Sequence, residues 1–496
     1  MDPLSGKPHF PPPLTPIKGE RTVNPRRRLA PLQPPPSLVP LPSSLPQGLS
    51  RKCAFTSTHT LSVHILPAAF PRAASSQGAI EIAPPEKFTG PSAKEERKRW
   101  LVDTAHAMLA EKMEIESAFP DPAIGVRASD VGLWGTVLRI RRNEKATAAA
   151  GEGKKGITLV TTHPIGFHKE IWEPAFRHLI EMTESASSSI RIEEMWSLEA
   201  VNHGDAALIN GVHIPKLPDR SDYGRDIANF LIYHLPDGRE AFGKDLPFQL
   251  PRLAESVGAE RIKNGFVDRH VVPLGHSLGG DATALCGISY PKLFPAIILL
   301  ETTLFPGSNS GSKRKPAIFV STLGRRSSWP SREEAKKALL KSPLFQAFDP
   351  EVLDIYVEHG MFRDEKTGEI HLKCNPAWEA SEFAEHRTMN EGWELLPTLD
   401  ENVELRWIMG GRDDASNLVG GMETARLTVW RRSKNASNVK LPGAGHLLVQ
   451  EKPKDVVNAP VIRRAFTDGS LAEDVATFLT RKFGSVGSSE YHPAKL

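Results

Sequence analysis

The pentapeptide Gly275-His276-Ser277-Leu278-Gly279 places a serine between two glycines, at a spacing that suits nucleophilic catalysis. At the apex of a tight strand-to-helix turn the hydroxyl is exposed for attack, and side chains two residues to either side would collide. A strand-like run, Phe266–Leu274, precedes the motif and a run of small residues, Asp281–Leu285, follows it. The pattern therefore predicts a nucleophile elbow with Ser277 as the attacking residue.

Acyl transfer through a serine also needs a base, and His446 is the predicted one. It lies in the glycine-lined segment Leu441–Leu447, at the end of a short strand predicted at Asn438–Leu441. An imidazole held there can take the serine proton and later return it to the leaving group. His163 and His168 lie in an earlier loop, and we interpret them as structural.

The acid that orients the base is predicted in the turn Gly410-Gly411-Arg412-Asp413-Asp414, in which a glycine stands three residues before each aspartate. We prefer Asp414, with Asp413 as an alternative, and expect the other aspartate to be a solvated turn residue. Glu301 is a further alternative, because a carboxylate at the end of the predicted strand Phe294–Leu300 can reach the same histidine. Otherwise we expect Glu301 to be a buried, hydrogen-bonded structural residue.

An oxyanion hole needs two backbone N–H groups directed at one point. The first is predicted to be that of Leu278, at the N-terminus of the helix after the nucleophile, where the amides are free. The second should come from the loop after the predicted strand Gly156–Thr162. Pro164 in that loop has no N–H to donate. We therefore predict Ile165 as the second donor, with Gly166 as the fallback.

Strands and helices alternate along the middle of the chain, which predicts an α/β fold with a doubly wound, mostly parallel sheet. Uniformly apolar runs fit buried parallel strands. The predicted strands are Thr58–Leu66, Leu133–Arg141, Gly156–Thr162, Ile190–Ser197, Phe266–Leu274, Phe294–Leu300 and Val403–Met409.

About 100 residues separate two of these strands, which is too many for a simple crossover. We predict a helical lid over 305–400, inserted between the two parts of the core, 55–304 and 401–483. Three segments of the lid have helical character: Ser331–Leu340, Pro350–His359 and Ala377–Glu385. Apolar lid residues can line an acyl pocket or pack the lid on the core: Leu339, Leu340, Phe345, Phe348, Leu353, Tyr356, Val357 and Met361.

The first 50 residues contain 14 prolines, so we predict a disordered segment over 1–54. Residues 1–52 include eight basic and two acidic residues, a net charge of +6 that leaves −3 for the rest of the chain. The basic excess thus lies outside the predicted core, which argues against nucleic-acid binding. A flexible tail is predicted over 484–496.

Three scattered cysteines are too few for a disulfide framework or a metal cage. No apolar run approaches the ~18 residues of a membrane span. The sequence therefore predicts neither cofactor nor metal, no membrane span, and a reducing compartment.

The elbow, the acidic turn and the His446 loop occur in the chain order of the α/β-hydrolase superfamily, which the chain resembles from Phe55 to Phe483. Two segments, His163–Pro174 and His371–Pro376, resemble a fungal subgroup that includes the yeast peroxisomal lipase and hydrolases of toxin biosynthesis. The resemblance implies an α/β-hydrolase fold, esterase or lipase-like activity and residence in peroxisomes.

The last three residues, Ala494-Lys495-Leu496, are a variant of the peroxisomal S-K-L address. They predict a peroxisomal import receptor as a partner and the peroxisomal matrix as the location. The predicted function is that of a serine hydrolase that cleaves an ester or thioester of a small acyl substrate through an acyl-enzyme. The alternatives are an acyltransferase with the same triad and a ligand-binding protein without catalysis.

Overall fold

The structure is a computed structural model that describes residues 9–18, 29–72, 88–118, 131–149, 155–184, 188, 190–236, 243–307 and 316–453. Its strands are β1 (Lys52–Ala54), β2 (His59–Pro67), β3 (Trp134–Arg142), β4 (Lys155–Thr162), β5 (Ile190–Glu199), β6 (His270–His276), β7 (Ala296–Leu300), β8 (Ser328–Trp329), β9 (Met361–Arg363), β10 (Ile370–Leu372), β11 (Glu404–Gly410) and β12 (Ala436–Leu441).

The helices alternate with these strands through most of the described chain. They are α1 (Ala93–Ala118), α2 (Glu144–Ala149), α3 (Glu173–Glu184), α4 (Gly204–Asn210), α5 (Arg220–Asn229), α6 (Glu255–Asn264), α7 (Leu278–Ser289), α8 (Pro316–Leu323), α9 (Arg332–Leu339), α10 (Pro343–Gln346), α11 (Pro350–His359), α12 (Pro376–Ala384), α13 (Arg387–Leu395), α14 (Met422–Val429) and α15 (Leu448–Glu451). A π-helical turn, Phe230–His234, continues α5.

Nine strands form one sheet in the order β1-β2-β3-β5-β4-β6-β7-β11-β12. In this spatial order, neighbouring strands from β5 to β12 are all parallel. The neighbouring strands from β1 to β5 are antiparallel. β7 is buried along its whole length, as expected for a parallel strand covered on both faces. The predicted doubly wound, mostly parallel sheet is therefore confirmed, and it aligns the carboxyl ends of β4, β6, β7 and β11 at one edge.

In the described part of the long interval after β7 there are six helices, α8 to α13, and a small antiparallel sheet in the order β8-β10-β9 that the sequence did not predict. Side chains cap three of these helices, since Ser331, Asp349 and Asn375 accept hydrogen bonds from amides of the first turns of α9, α11 and α12. Proline at the start of α11 and α12 strengthens the same signal. The three predicted lid helices are confirmed to within one residue at each end, but the lid is not wholly helical.

The apolar lid residues belong mainly to the core on one face of the sheet rather than to an open pocket. Phe345, Phe348 and Tyr356 pack against one another and, through Phe348 and Tyr356, against Phe167 of the loop after β4, with ring centroids 5.1–5.9 Å apart. Leu340, by contrast, is exposed. Of the two interpretations of this set, the structure favours packing of the lid onto the core.

Described parts of the proline-rich N-terminal segment are ordered and packed on the core, so the prediction of disorder over 1–54 is wrong for 9–18 and 29–54. Phe10 is only 4% exposed, and its N–H donates to Asn438 Oδ1 on the edge strand β12 at 2.7 Å. Arg225 of α5 donates to the carbonyls of Ala30 and Pro31. Proline disfavours an α-helix here, although Gln47–Ser50 form a short 3-10 helix, and carbonyls and apolar side chains remain available to hold extended chain on the core.

Among the described residues, no helix is long and apolar enough to cross a membrane. The predicted tail over 484–496 lies outside the described residues.

Candidate active site

Ser277 occupies the turn between β6 and α7 with φ 54°, a left-handed conformation that is unusual for a residue with a side chain. The neighbouring glycines are required by close backbone approach. A Cβ on Gly275 would stand 2.6 Å from the carbonyl oxygen of Gly279, and one on Gly279 would stand 2.6 Å from the carbonyl carbon of Thr162. The predicted strand, tight turn and helix are therefore present, and the first turn of α7 packs directly on the end of β4.

His446 lies between the serine and a carboxylate. Its Nε2 is 3.0 Å from Ser277 Oγ, and its Nδ1 is 3.1 Å from Glu301 Oε2. Both distances allow hydrogen bonds, and a histidine that donates from Nδ1 to a carboxylate leaves Nε2 free to accept the serine proton. This arrangement is the one that nucleophilic acyl transfer with general-base assistance requires.

Glu301 follows β7 directly and is held on both sides of its carboxylate. It is 1% exposed and has φ 41°, so a second non-glycine residue with a left-handed backbone lies beside Ser277. The Gly410 N–H at the end of β11 donates to Glu301 Oε1 at 2.6 Å, while Oε2 contacts His446. The neighbouring strands β7 and β11 thus fix the carboxylate that contacts the histidine.

The preference for Asp414 is contradicted by the structure. The Asp414 side chain is 61% exposed and pairs with Arg412, whose Nε lies 2.9 Å from Asp414 Oδ1. Asp413 is also exposed, in the same turn. Gly410, which suggested the acidic turn by its spacing, instead holds Glu301 through its N–H. The alternative carboxylate, Glu301, is the one brought to His446.

His276, at the position before the nucleophile, is a site residue that the sequence analysis did not identify. Its Nε2–H donates to the carbonyl oxygen of His446 at 2.9 Å, so the elbow holds the backbone of the residue that carries the base. Burial lowers the pKa of His276 to about 3, helped by the neighbouring His446, and the ring stays neutral. The only sequence signal for this role was a histidine adjacent to the predicted nucleophile.

The predicted oxyanion donors occupy the expected loops. Leu278 is the first residue of α7, where a helix leaves its amides without an acceptor. The fallback donor Gly166 is already engaged, because its N–H donates to His203 Nε2 at 3.0 Å. Ile165 forms no such bond within the described part of the chain and lies half-buried in the loop. The Ile165 N–H therefore remains available as a donor, whereas that of Gly166 does not.

Two buried histidines fix the loop that carries Ile165. His203 accepts from Gly166 at Nε2, and its Nδ1–H donates to Asn202 Oδ1 at 2.8 Å. His163 accepts from the Ala200 N–H at Nε2. Burial lowers the pKa of His163 to about 3 and the pKa of His203 well below its usual range. Both rings are therefore neutral, as an accepting nitrogen requires.

A buried ionic cluster connects the lid to this loop. Asp205 Oδ1 accepts from Lys373 of the lid at 2.6 Å, and Asp205 Oδ2 accepts from Lys169 at 2.7 Å. Burial alone would raise the pKa of Asp205, but the two ammonium groups hold it below its usual value. Burial alone would lower the pKa of Lys169, and the carboxylates of Asp205, Glu170 and Glu199 raise it instead. The cluster holds the lid against the core by charge as well as by packing.

We expect Lys373→Met to lower the free energy of unfolding by about 3 kcal/mol, because it leaves part of the Asp205 charge buried without its cation. Lys337→Met is the control, since Lys337 is an exposed lid lysine with a loose contact to Glu334. The control should change stability by less than about 0.5 kcal/mol. Urea unfolding followed by tryptophan fluorescence measures both. Equal losses in the two variants would contradict a stabilising role for the cluster.

A parallel sheet that presents a serine on a strand-to-helix turn, with a carboxylate and a histidine after later strands, defines the hydrolase-fold class of proteins. The chain belongs to the alpha/beta hydrolase family, whose sequence model matches residues 159–459. The predicted family and fold are therefore confirmed.

The fold resembles that of the peroxisomal alpha-beta-hydrolase Lpx1 from Saccharomyces cerevisiae, with a TM-score of 0.57 and 15% identity over 89% of this chain and 94% of that one. In sequence, the chain is 28% identical over 210 residues to the type I acyl-CoA thioesterase mpaH of Penicillium brevicompactum, which is 42% of this chain and 40% of that protein. It is 34% identical over 100 residues to the abhydrolase domain-containing protein AFT2-1 of Alternaria alternata, 20% of this chain and 37% of that protein. The chain thus spans about 40% of the length of these relatives.

Proposed function

We propose that the protein is a serine hydrolase that cleaves a carboxylic ester or thioester through an acyl-enzyme. The observation that carries the proposal is the chain of contacts from Ser277 Oγ through His446 to Glu301. The similarity to an acyl-CoA thioesterase favours thioesters among the possible substrates.

In the proposed reaction, His446 Nε2 takes the proton of Ser277 as its oxygen attacks the acyl carbon. The negative charge on the carbonyl oxygen is stabilised by the N–H groups of Leu278 and Ile165. His446 then protonates the leaving thiol or alcohol, and the acyl group remains on Ser277. Water, activated by the same histidine, releases the acid. Glu301 keeps the Nδ1 proton in place and stabilises the imidazolium.

A fluorophosphonate probe tests the proposal directly. We expect the folded wild-type protein to be labelled, with the adduct on the peptide that contains Ser277, and Ser277→Ala to remain unlabelled. Acyl-CoA and p-nitrophenyl ester panels should show turnover with release of the free acid. Absence of labelling in the folded wild-type protein would refute the serine hydrolase. Labelling with acyl transfer to an added alcohol or thiol, rather than to water, would indicate the acyltransferase.

His203 is a proposed positioning residue, since its contact with the Gly166 N–H fixes the loop that presents Ile165. We expect His203→Phe to lower kcat about 10- to 100-fold, less than or comparable to the loss from deleting an oxyanion donor. KM should change less than about threefold, because the contact acts mainly in the transition state. The affinity for a trifluoromethyl ketone inhibitor should fall in parallel with kcat.

His203→Gln is the matched control, because its amide oxygen can still accept from Gly166. It should recover most of the kcat that His203→Phe loses. If the two variants are equally impaired, or if the loss of kcat follows a loss of thermal stability, then the contact with Gly166 does not determine kcat.

We also propose that the protein acts in the peroxisomal matrix and binds an import receptor through Ala494-Lys495-Leu496, which lies outside the described residues. The structural resemblance to a peroxisomal hydrolase supports this location. A fluorescent fusion should be punctate and coincide with a peroxisomal marker, and deletion of the tripeptide should make it diffuse. Unchanged import after the deletion would refute the address.

A further inference from the structure

A cleft lies next to the start of α7, and the space in it open to a water-sized group is about 20 Å³, which is enough for one such group. Leu278, the residue after the serine, forms part of its wall. The rest comes from the segment after β5, from α5 and the segment before it, and from α12, including Asn202, Arg220, Asp226 and Glu382. The cleft therefore reaches the residue that follows Ser277 in the elbow. Its wall combines charged side chains with apolar residues such as Val201 and Ile214.

Several polar atoms in this wall are buried without a hydrogen-bond partner. Among the described residues, Arg220 Nε, Glu382 Oε2 and Asp226 Oδ2 form no hydrogen bond, although all three residues are more than nine-tenths buried. Arg220 Nε lies 3.7 Å from Glu382 Oε2 and 4.0 Å from Glu385 Oε2, which are ion-pair distances but too long for direct hydrogen bonds. Native proteins seldom leave such atoms unsatisfied, because each costs about 1–3 kcal/mol.

Other contacts hold these side chains in place, so they cannot simply turn to satisfy one another. Arg220 donates through Nη1 to Asp281 Oδ2 and through Nη2 to the carbonyl oxygen of Glu382. Glu382 Oε1 accepts from the Asn202 side chain at 2.6 Å. Asp226 Oδ1 accepts from the Ala69 N–H at 2.8 Å. The free atoms are therefore preorganised donor and acceptor positions.

The chemistry of these positions selects a hydroxyl group. A hydroxyl can accept from Arg220 Nε and donate to Glu382 Oε2 at the same time, and a hydrocarbon can do neither. Four carboxyl side chains and two arginines line the cleft, which disfavours a carboxylate ligand: Asp219, Asp222, Asp226, Glu382, Arg72 and Arg220. Burial raises the pKa of Glu382 despite Arg220, so a further donor to its carboxylate would be favourable.

We propose that this cleft is a subsite for a hydroxyl group on the substrate, and that the enzyme prefers hydroxylated acyl esters or thioesters to plain ones. The inference rests on the proposed function, because the position of the substrate in the cleft is defined by the bond of its acyl group to Ser277. The hydroxyl bridges Arg220 Nε and Glu382 Oε2 while the carbonyl group lies at the oxyanion donors. The unsubstituted substrate leaves both atoms buried and unsatisfied.

The experiment compares acyl thioesters of equal carbon number, with and without a hydroxyl group, in a panel that moves the hydroxyl along the chain. We expect at least one hydroxylated member to exceed the plain thioester about 10-fold or more in kcat/KM. In Glu382→Gln, which keeps an acceptor for Asn202, that ratio should fall to about 3 or less. Glu394→Gln is the control, since Glu394 is a buried lid acid that pairs with Arg431 and does not line the cleft. It should leave the ratio unchanged.

Binding gives a second readout that does not need turnover. In Ser277→Ala, calorimetry should show the hydroxylated acid binding about 10-fold more tightly than the plain acid, a difference that Glu382→Gln removes. If wild type is labelled by fluorophosphonate but no member of the panel is preferred, the subsite is refuted and the hydrolase stands. A preference that survives Glu382→Gln also refutes the subsite. If folded wild type is not labelled at all, both proposals fall.

Discussion

Glu301→Gln is expected to lower kcat about 10³- to 10⁴-fold while changing KM little. In the proposed triad the carboxylate keeps the proton on His446 Nδ1, and a glutamine amide facing that nitrogen favours the wrong tautomer. The corresponding aspartate-to-asparagine change in a serine protease costs about 10⁴-fold in kcat. Glu301 Oε1 accepts from Gly410 at 2.6 Å, and the oxygen of glutamine can preserve that contact. The loss should therefore come from chemistry and not from unfolding.

Asp414→Asn and Asp413→Asn are the matched controls, because each removes one carboxylate charge from the turn after β11. Asp414 is solvent-exposed and paired with Arg412, so each control should retain kcat within about twofold. Steady-state kinetics on one thioester, with thermal unfolding as a check on folding, measures all three variants. A large loss in Asp414→Asn, with Glu301→Gln near wild type, would contradict the assignment of Glu301.

The pairing of Ser277 with His446 could be anticipated from the sequence because local rules constrain both positions. The crowded turn around Ser277 admits only glycine at the neighbouring positions, and this requirement appears directly as a motif. His446 follows the last strand of the sheet in a glycine-lined loop. Parallel strands, buried on both faces, also leave uniformly apolar runs such as that of β7.

The sequence could not decide among the three candidate carboxylates, because contacts between distant segments determine which one meets His446. Glu301 and Gly410 are 109 residues apart and meet only because β7 and β11 are neighbours in the sheet. The sequence shows that both strands end near acidic residues, but not which carboxylate is directed at His446. The left-handed backbone of Glu301 follows from the same packing and has no signature in the sequence.

The order of the N-terminal residues 9–18 and 29–54 could not be predicted from the sequence, for a related reason. A high proline content disfavours α-helices and central strands, but it does not exclude an extended segment held by a folded surface. Phe10 is held by Asn438 and Trp430, more than 400 residues away, through hydrogen bonds to its backbone. Such a segment is ordered by its contacts with the folded surface, and its own sequence does not reveal those contacts.

His446→Ala is expected to have the largest effect, a fall in kcat of about 10⁶-fold, as for removal of the histidine in a serine protease. Without the imidazole nothing takes the proton of Ser277 during attack, and nothing protonates the leaving group. The loop itself should remain in place, because His276 holds the carbonyl oxygen of residue 446 and not its side chain. Fluorophosphonate labelling should be lost together with turnover, since both need an activated serine.

His371→Ala is the control for this change, because His371 is a lid histidine near Glu369 and away from the elbow. It should retain kcat within about twofold. The oxyanion donors and the binding surface survive in His446→Ala, so a residual rate about 10³-fold above the uncatalysed reaction is compatible with the mechanism. Activity above about 1% of wild type is not compatible with the mechanism, because the backbone N–H groups of Leu278 and Ile165 cannot move a proton. Such activity would mean that another group acts as the base.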